Sequence, residues 1–100
     1  MILTNEWLRT AEWLSPGYAR RAAICKSGLI LSIQAGQYHY CFPREDGAQA
    51  YTSVEVGFPV KGGKPVRLRT LRGSRGIYPF ASVEKLDRII RRNGGVIGGQ

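Results

Sequence analysis

Between Lys61 and Phe80 the chain has no acidic residue, although six of those positions are basic. Elsewhere the scarcities are of other kinds. There are only two cysteines, one histidine and one methionine in 100 residues. Two cysteines cannot build the multi-bridge framework of a small secreted scaffold, and Cys25 and Cys41 are expected as free thiols in or near the core. With His39 they are one ligand short of a closed zinc site, and the His39–Cys41 separation is not that of a zinc finger or ribbon. Glu45 or Asp46 could complete a set, but nothing requires it, so no metal is expected. Nothing identifies an activating partner for a Cys–His nucleophilic pair. Glu45, Asp46 and Glu55 form no spaced acid/base pair. The glycine-rich stretches at Lys61–Lys64 and Arg72–Gly76 lack the GxxxxGK[ST] pattern of a P-loop. These absences argue against an enzyme and against a cofactor site.

Long apolar runs are missing too. The longest, Gly28 to Ile33, is interrupted by Ser32 and falls far short of the roughly 18–20 residues of a membrane span. Met1-Ile2-Leu3 has no basic flank, and Glu6, Arg9 and Glu12 break any signal-type apolar stretch. The expectation is a cytoplasmic protein with no membrane partner.

What is present suffices for one domain over residues 1–100: 43% of residues are hydrophobic, and 13 glycines and 5 prolines imply many turns. Thr4 to Leu14 reads as a helix capped by Thr4 or Asn5, with Trp7, Ala11 and Leu14 on one face. Ser15-Pro16-Gly17 ends it, and Arg20 to Ile24 is strand or loop. Leu29 to Ile33 reads as a strand burying Leu29, Leu31 and Ile33. Tyr38 to Phe42 reads as a second, stopped by Pro43. Ala50 to Phe58 alternates Thr52, Val54, Val56 and Phe58, and Pro59 closes it. Val66 to Leu71 reads as a fourth strand. Ser82 to Arg92 is a helix capped by Ser82, with Val83, Leu86, Ile89 and Ile90 apolar and Asn93-Gly94-Gly95 at its end. A loose tail or short edge strand follows. The prediction is an α+β fold: a small antiparallel sheet of about four strands with an N-terminal and a C-terminal helix.

Charge is the strongest functional signal. Residues 1–60 are balanced, with five basic and five acidic side chains, so the net charge of +8 lies wholly in residues 61–100. Such asymmetry points to an anionic partner. Arg67 and Arg69, two apart on the expected strand, would leave one face about 6.6–6.8 Å apart, a spacing suited to successive phosphates. Arginine forks match phosphate oxygens. Lys61, Lys64, Arg72 and Arg75 sit in flanking glycine-rich loops that could wrap a backbone. A solvated outer face that discourages edge pairing is the competing explanation. On the C-terminal helix, Glu84–Arg88 and Asp87–Arg91 are expected as i,i+4 pairs, which leaves only Lys85 and Arg92 over. Tyr38, Tyr40, Phe42, Tyr51 and Phe58 could stack bases, but alternation on strands makes core positions the expectation.

The stretches Cys25 to Ala35, Tyr38 to Arg44 and Tyr51 to Pro59 resemble small uncharacterised proteins encoded by phages and prophages. Val83 to Ile90 followed by Asn93-Gly94-Gly95 is similar to how those chains end. The resemblance covers residues 25–59 and 78–97 and transfers no site residues. It implies a context of small non-enzymatic binders, including inhibitors of host machinery. The expected function is therefore binding of nucleic acid, or of a nucleic-acid-associated host protein, through Lys61, Lys64, Arg67, Arg69, Arg72 and Arg75. One alternative is a protein–protein inhibitor using exposed Trp7, Trp13 and Tyr18. Another is a small ligand binder or enzyme built around Tyr38, His39, Cys41, Arg44 and Glu55.

Overall fold

The computed structural model describes all 100 residues. In chain order the elements are α1 (Thr4–Thr10), β1 (Trp13–Ser15), β2 (Ala19–Arg20), β3 (Ala23–Cys25), β4 (Ile30–Gln34), β5 (Ser53–Lys61), β6 (Lys64–Pro65), β7 (Ile77–Ser82), α2 (Val83–Arg92) and β8 (Val96–Gly99). The class is α+β, but the main sheet has six strands rather than about four. Its order is β6-β5-β4-β3-β8, with β7 lying against the first half of β5, while β1 and β2 form a separate hairpin. All pairings are antiparallel. Neither helix is long and apolar enough to cross a membrane.

The core follows from strand alternation. Ala23 and Cys25, Leu31 and Ile33, and Val54 and Val56 are fully buried, and the registers Ala23↔Leu31 and Ile33↔Val56 align them across three strands. Trp7 and Leu8 of α1 and Leu86 and Ile90 of α2 join the same cluster. Each fully buried aliphatic side chain there contributes roughly 1.5–3 kcal/mol.

Helix α1 is shorter than the pattern implies. It ends at Thr10, where Ala11 turns extended, and Leu14 becomes an exposed strand residue in β1. Its cap is not local either. Leu3 occupies the N-cap without a side-chain bond, and Asp87 of α2 instead accepts from Thr4 N at 3.0 Å and Thr4 Oγ1 at 2.6 Å. That use of Asp87 removes the expected Asp87–Arg91 pair. Glu84–Arg88 does form, at 2.7 Å, and Ser82 caps α2 by accepting from Lys85 N.

Three strand assignments change. Residues 38–42 form turns and bends, with only Phe42 bridging to Ser53. Strand β5 runs on through Pro59 to Lys61 and turns back through Gly62 and Gly63, whose φ values of 61° and 76° suit a tight hairpin. Val66 to Leu71 is not a strand. Its buried residues are Leu68 and Leu71, three apart, and Leu71 N bonds Leu68 O in a turn. Leu68 N donates to the Tyr78 hydroxyl at 3.0 Å, which pins this turn against β7. The place beside β5 belongs to β7, a strand that Pro79 obscures in the sequence.

Both irregularities along β5 are bulges. Val54↔Ala81 and Val56↔Tyr78 set Glu55 opposite both Pro79 and Phe80. Ile30↔Val60 and Ser32↔Gly57 set Leu31 opposite both Phe58 and Pro59. Each bulge holds a phenylalanine in the left-handed region, Phe80 at φ 49° and Phe58 at φ 48°. A bulge re-aims its side chain, and here both rings turn to solvent, Phe58 64% and Phe80 57% exposed.

Candidate nucleic-acid interface

Lys61 and Lys64 are cross-strand partners at the tip of the β5–β6 hairpin, and both are exposed. Arg67 and Arg69 are exposed too, but on coil and turn, so the expected strand spacing between them does not exist. Arg67 shares a groove with Arg75 instead, of about 470 Å³, whose floor is Phe58, Pro59, Val60, Val66 and Tyr78. Arg72, between them in sequence, lines a second hollow of about 280 Å³ with Pro79, Phe80 and Lys85. Lys85 also lines a third, of about 300 Å³, with Thr70, Arg88 and Arg92. Arg72, Lys85 and Arg92 are thus linked by two hollows that share Thr70 and Lys85, and the Arg67–Arg75 groove has no lining residue in common with them. None of the six basic side chains of the segment, nor Lys85, Arg91 or Arg92, has a carboxylate within salt-bridge distance. Arg91 therefore joins Lys85 and Arg92 as uncompensated, because Asp87 is turned to Thr4.

The aromatic residues are placed opposite to expectation. Tyr38, Tyr40, Phe42 and Phe58 face solvent, and of that group only Tyr51 is buried. The alternation expected of residues 38–42 survives, but the aromatic face is the exposed one. His39 and Cys41 point inward, held by His39 Nδ1 to Glu55 at 3.3 Å and by Cys41 Sγ to Gly36 N and O, both at 3.3 Å. The exposed rings pair. Tyr18 and Tyr38 stack with centroids 4.6 Å apart and planes 10° apart. Tyr40 and Phe80 lie 5.9 Å apart, and the Arg44 guanidinium sits 5.4 Å above Tyr40. Phe80 N also donates to Tyr40 O at 3.0 Å.

Phe80 is where the two surfaces meet. It pairs with Tyr40 on one side and shares a hollow with Arg72 and Lys85 on the other. The chain's three non-glycine residues with positive φ are Phe58, Arg75 and Phe80, and all line these basic hollows. Left-handed backbone costs such residues roughly 1–2 kcal/mol each. Chemically the surface offers guanidinium forks for phosphate oxygens and open ring faces for stacking.

The chain matches no model of a known protein family, no curated protein and no solved structure.

The other candidates separate. Trp7 is buried, so it cannot serve an exposed interface, and Trp13 is half-buried against Arg20. Tyr18 is exposed and stacked on Tyr38. Tyr38 points out while His39 and Cys41 point in, and no cavity gathers them with Arg44 and Glu55. Cys25 and Cys41 are both free and buried, and burial pushes the Cys25 thiol up. No three of the His, Cys, Asp and Glu side chains group as metal ligands would. Sequence reasoning missed Phe80, whose only signal was its neighbour Pro79: proline inside a strand is confined to edges and bulges.

Proposed function

We propose that this protein is a non-enzymatic binder of single-stranded nucleic acid. The observation that carries the reading is Phe80. It faces solvent from a strained bulge, packs on Tyr40 and shares its hollow with Arg72 and Lys85. A merely solvated edge explains exposed cations, but not a large ring held out on a costly backbone. At such a position the backbone alone favours glycine. Strain that the ring's own contacts do no more than offset points to a functional surface. Bases in a duplex are stacked on one another, whereas unpaired bases present faces to aromatic side chains. Arg67, Arg72 and Arg75 take the phosphates in this reading, and Lys61, Lys64 and Arg69 add longer-range attraction. A small cytoplasmic binder of this kind fits the phage-type setting that residues 25–59 and 78–97 resemble.

The test is fluorescence anisotropy with a labelled single-stranded oligonucleotide and its duplex, titrated with salt. If on the order of five phosphates are neutralised, log K against log salt falls with a slope of about −3.5. Phe80→Ala should weaken single-strand binding by about 1–3 kcal/mol, the range for one stacked base. Binding that ignores salt, no binding at low salt, or a duplex preference untouched by Phe80→Ala overturns the reading. The stacked Tyr18–Tyr38 pair favours a second reading, contact with a host protein, since exposed tyrosines are frequent interface anchors. Nuclease-resistant capture of one protein that requires Tyr18 and Tyr38 would establish that reading instead.

A further inference from the structure

We infer that the cleft between α1, the β1–β2 hairpin and the 46–51 loop is a binding site for a small aryl carboxylate, with Arg20 as its anion-binding group. The cleft measures about 550 Å³, inside the roughly 300–1,000 Å³ range of small-molecule pockets. It shares no lining residue with the Phe58 or Phe80 hollows, so the inference stands apart from the nucleic-acid reading.

Arg20 is only 5% exposed, yet it has no carboxylate within salt-bridge distance. Its neighbour Arg21, just past the end of β2, does have one, Glu12 at 2.9 Å. Arg20 Nε donates to Leu8 O at 3.2 Å and Nη1 to Ala35 O at 2.7 Å. A guanidinium has five N–H groups, and these two bonds leave the rest of the fork without a backbone acceptor. The Trp13 ring covers the guanidinium carbon at 4.0 Å. Burial pushes the Arg20 pKa down, opposed by Tyr51 and, more weakly, by Asp46. Neither gives it a direct ion pair. The Tyr51 hydroxyl donates to Glu45 O at 2.7 Å, and the Asp46 carboxylate is engaged by Gln37 N and Nε2 at 3.0 and 2.8 Å.

A buried charge with no ion-pair partner in contact is costly, and tying Leu8 to Ala35 requires donors but not a charge. An acceptor anion in the cleft would supply the direct partner that Arg20 lacks. Arg9 and Arg20 against Asp46 leave the cleft one net positive charge, which suits a monoanion and disfavours a dianionic phosphate beside Asp46. Carboxylate geometry matches an arginine fork. Half-buried Trp13 supplies flat apolar surface at the cleft for an aromatic body.

The experiment is an NMR titration of the full chain with sodium benzoate at constant ionic strength, with neutral benzamide as comparator. Arg20→Ala removes two structural hydrogen bonds, so the informative variants are Asp46→Asn and Arg9→Ala. Benzoate should move the Arg20 Nε–H and Trp13 indole signals saturably, and benzamide should not. Asp46→Asn should tighten benzoate severalfold and Arg9→Ala should weaken it. Absence of a saturable shift, equal responses to benzamide and benzoate, or an affinity unchanged by Asp46→Asn overturns the proposal.

Discussion

Replacing Phe80 by glycine and, separately, by alanine isolates the backbone strain at the proposed binding surface. Both substitutions remove the same ring. Phe80 is 57% exposed, so each loses roughly half of the 1.5–3 kcal/mol that full burial would supply, or about 1 kcal/mol. They differ in the backbone. At an ordinary strand position glycine is about 0.5–1 kcal/mol worse than alanine, because it loses more freedom on folding. At φ 49° alanine keeps a left-handed penalty of roughly 1–2 kcal/mol that glycine does not carry. The sign therefore reverses, and Phe80→Gly should be more stable than Phe80→Ala by about 1 kcal/mol. In a domain of this size that is a Tm difference of about 4–8 °C. Relief of strain offsets the lost ring contact, so the glycine variant should melt close to the parent. Both variants should lose single-strand affinity equally. Thermal denaturation beside anisotropy reads both quantities. Alanine as stable as glycine would refute the strain argument, and either variant binding like the parent would refute the role of the ring.

Asp87→Ala should cost about 1–3 kcal/mol in urea denaturation, since it strips both acceptor contacts from Thr4. Glu84→Ala, which breaks only an exposed pair, should stay within about 0.5 kcal/mol. Arg72→Ala should leave stability unchanged and flatten the salt slope by about 0.7. Gly73→Ala should destabilise by at least about 2 kcal/mol in the same assay, because a Cβ there runs into the Ile77 carbonyl and the Tyr78 backbone. The Gln37 N–H groups, side chain first, hold the Asp46 carboxyl below its ordinary value. A depressed folded-state pKa adds stability above the unfolded value and loses it as pH falls through the folded one. The Tm of the parent should exceed that of Asp46→Asn near neutrality, and the two curves should converge in acid.

The elements with simple periodicity were legible. Leu29, Leu31 and Ile33 are buried as alternation predicts, and α2 starts at its Ser82 cap and stops before Asn93-Gly94-Gly95. The failures share a cause, which is a partner distant in sequence. The cap of α1 comes from Asp87, and no local pattern around Thr4 can announce it. Residues 38–42 contain strand formers in an alternating order. Yet Cys41 folds back on Gly36 and His39 reaches Glu55, so the small polar face turns inward and the aromatic face outward. Val66 to Leu71 has strand composition, but the ladder position beside β5 is taken by β7.

The site was half legible for a related reason. Absence of acid from Lys61 to Phe80 is a property of composition and survives any change in local geometry. The basic surface therefore stands even though the strand invoked to carry it does not. Arg67 finds Arg75 across a groove rather than Arg69 along a strand, and Arg72 finds Lys85 on α2. What composition cannot convey is aim. Whether a phenylalanine stacks in the core or faces solvent depends here on one extra residue in a strand pairing, as at Phe58 and Phe80. A single-residue slip exchanges the faces of a strand. The aim of Phe58 and Phe80 is thus set by two bulges. Pro79 and Pro59, each beside a bulge phenylalanine, are their trace in the sequence, because a proline lacks the N–H that a regular ladder position needs.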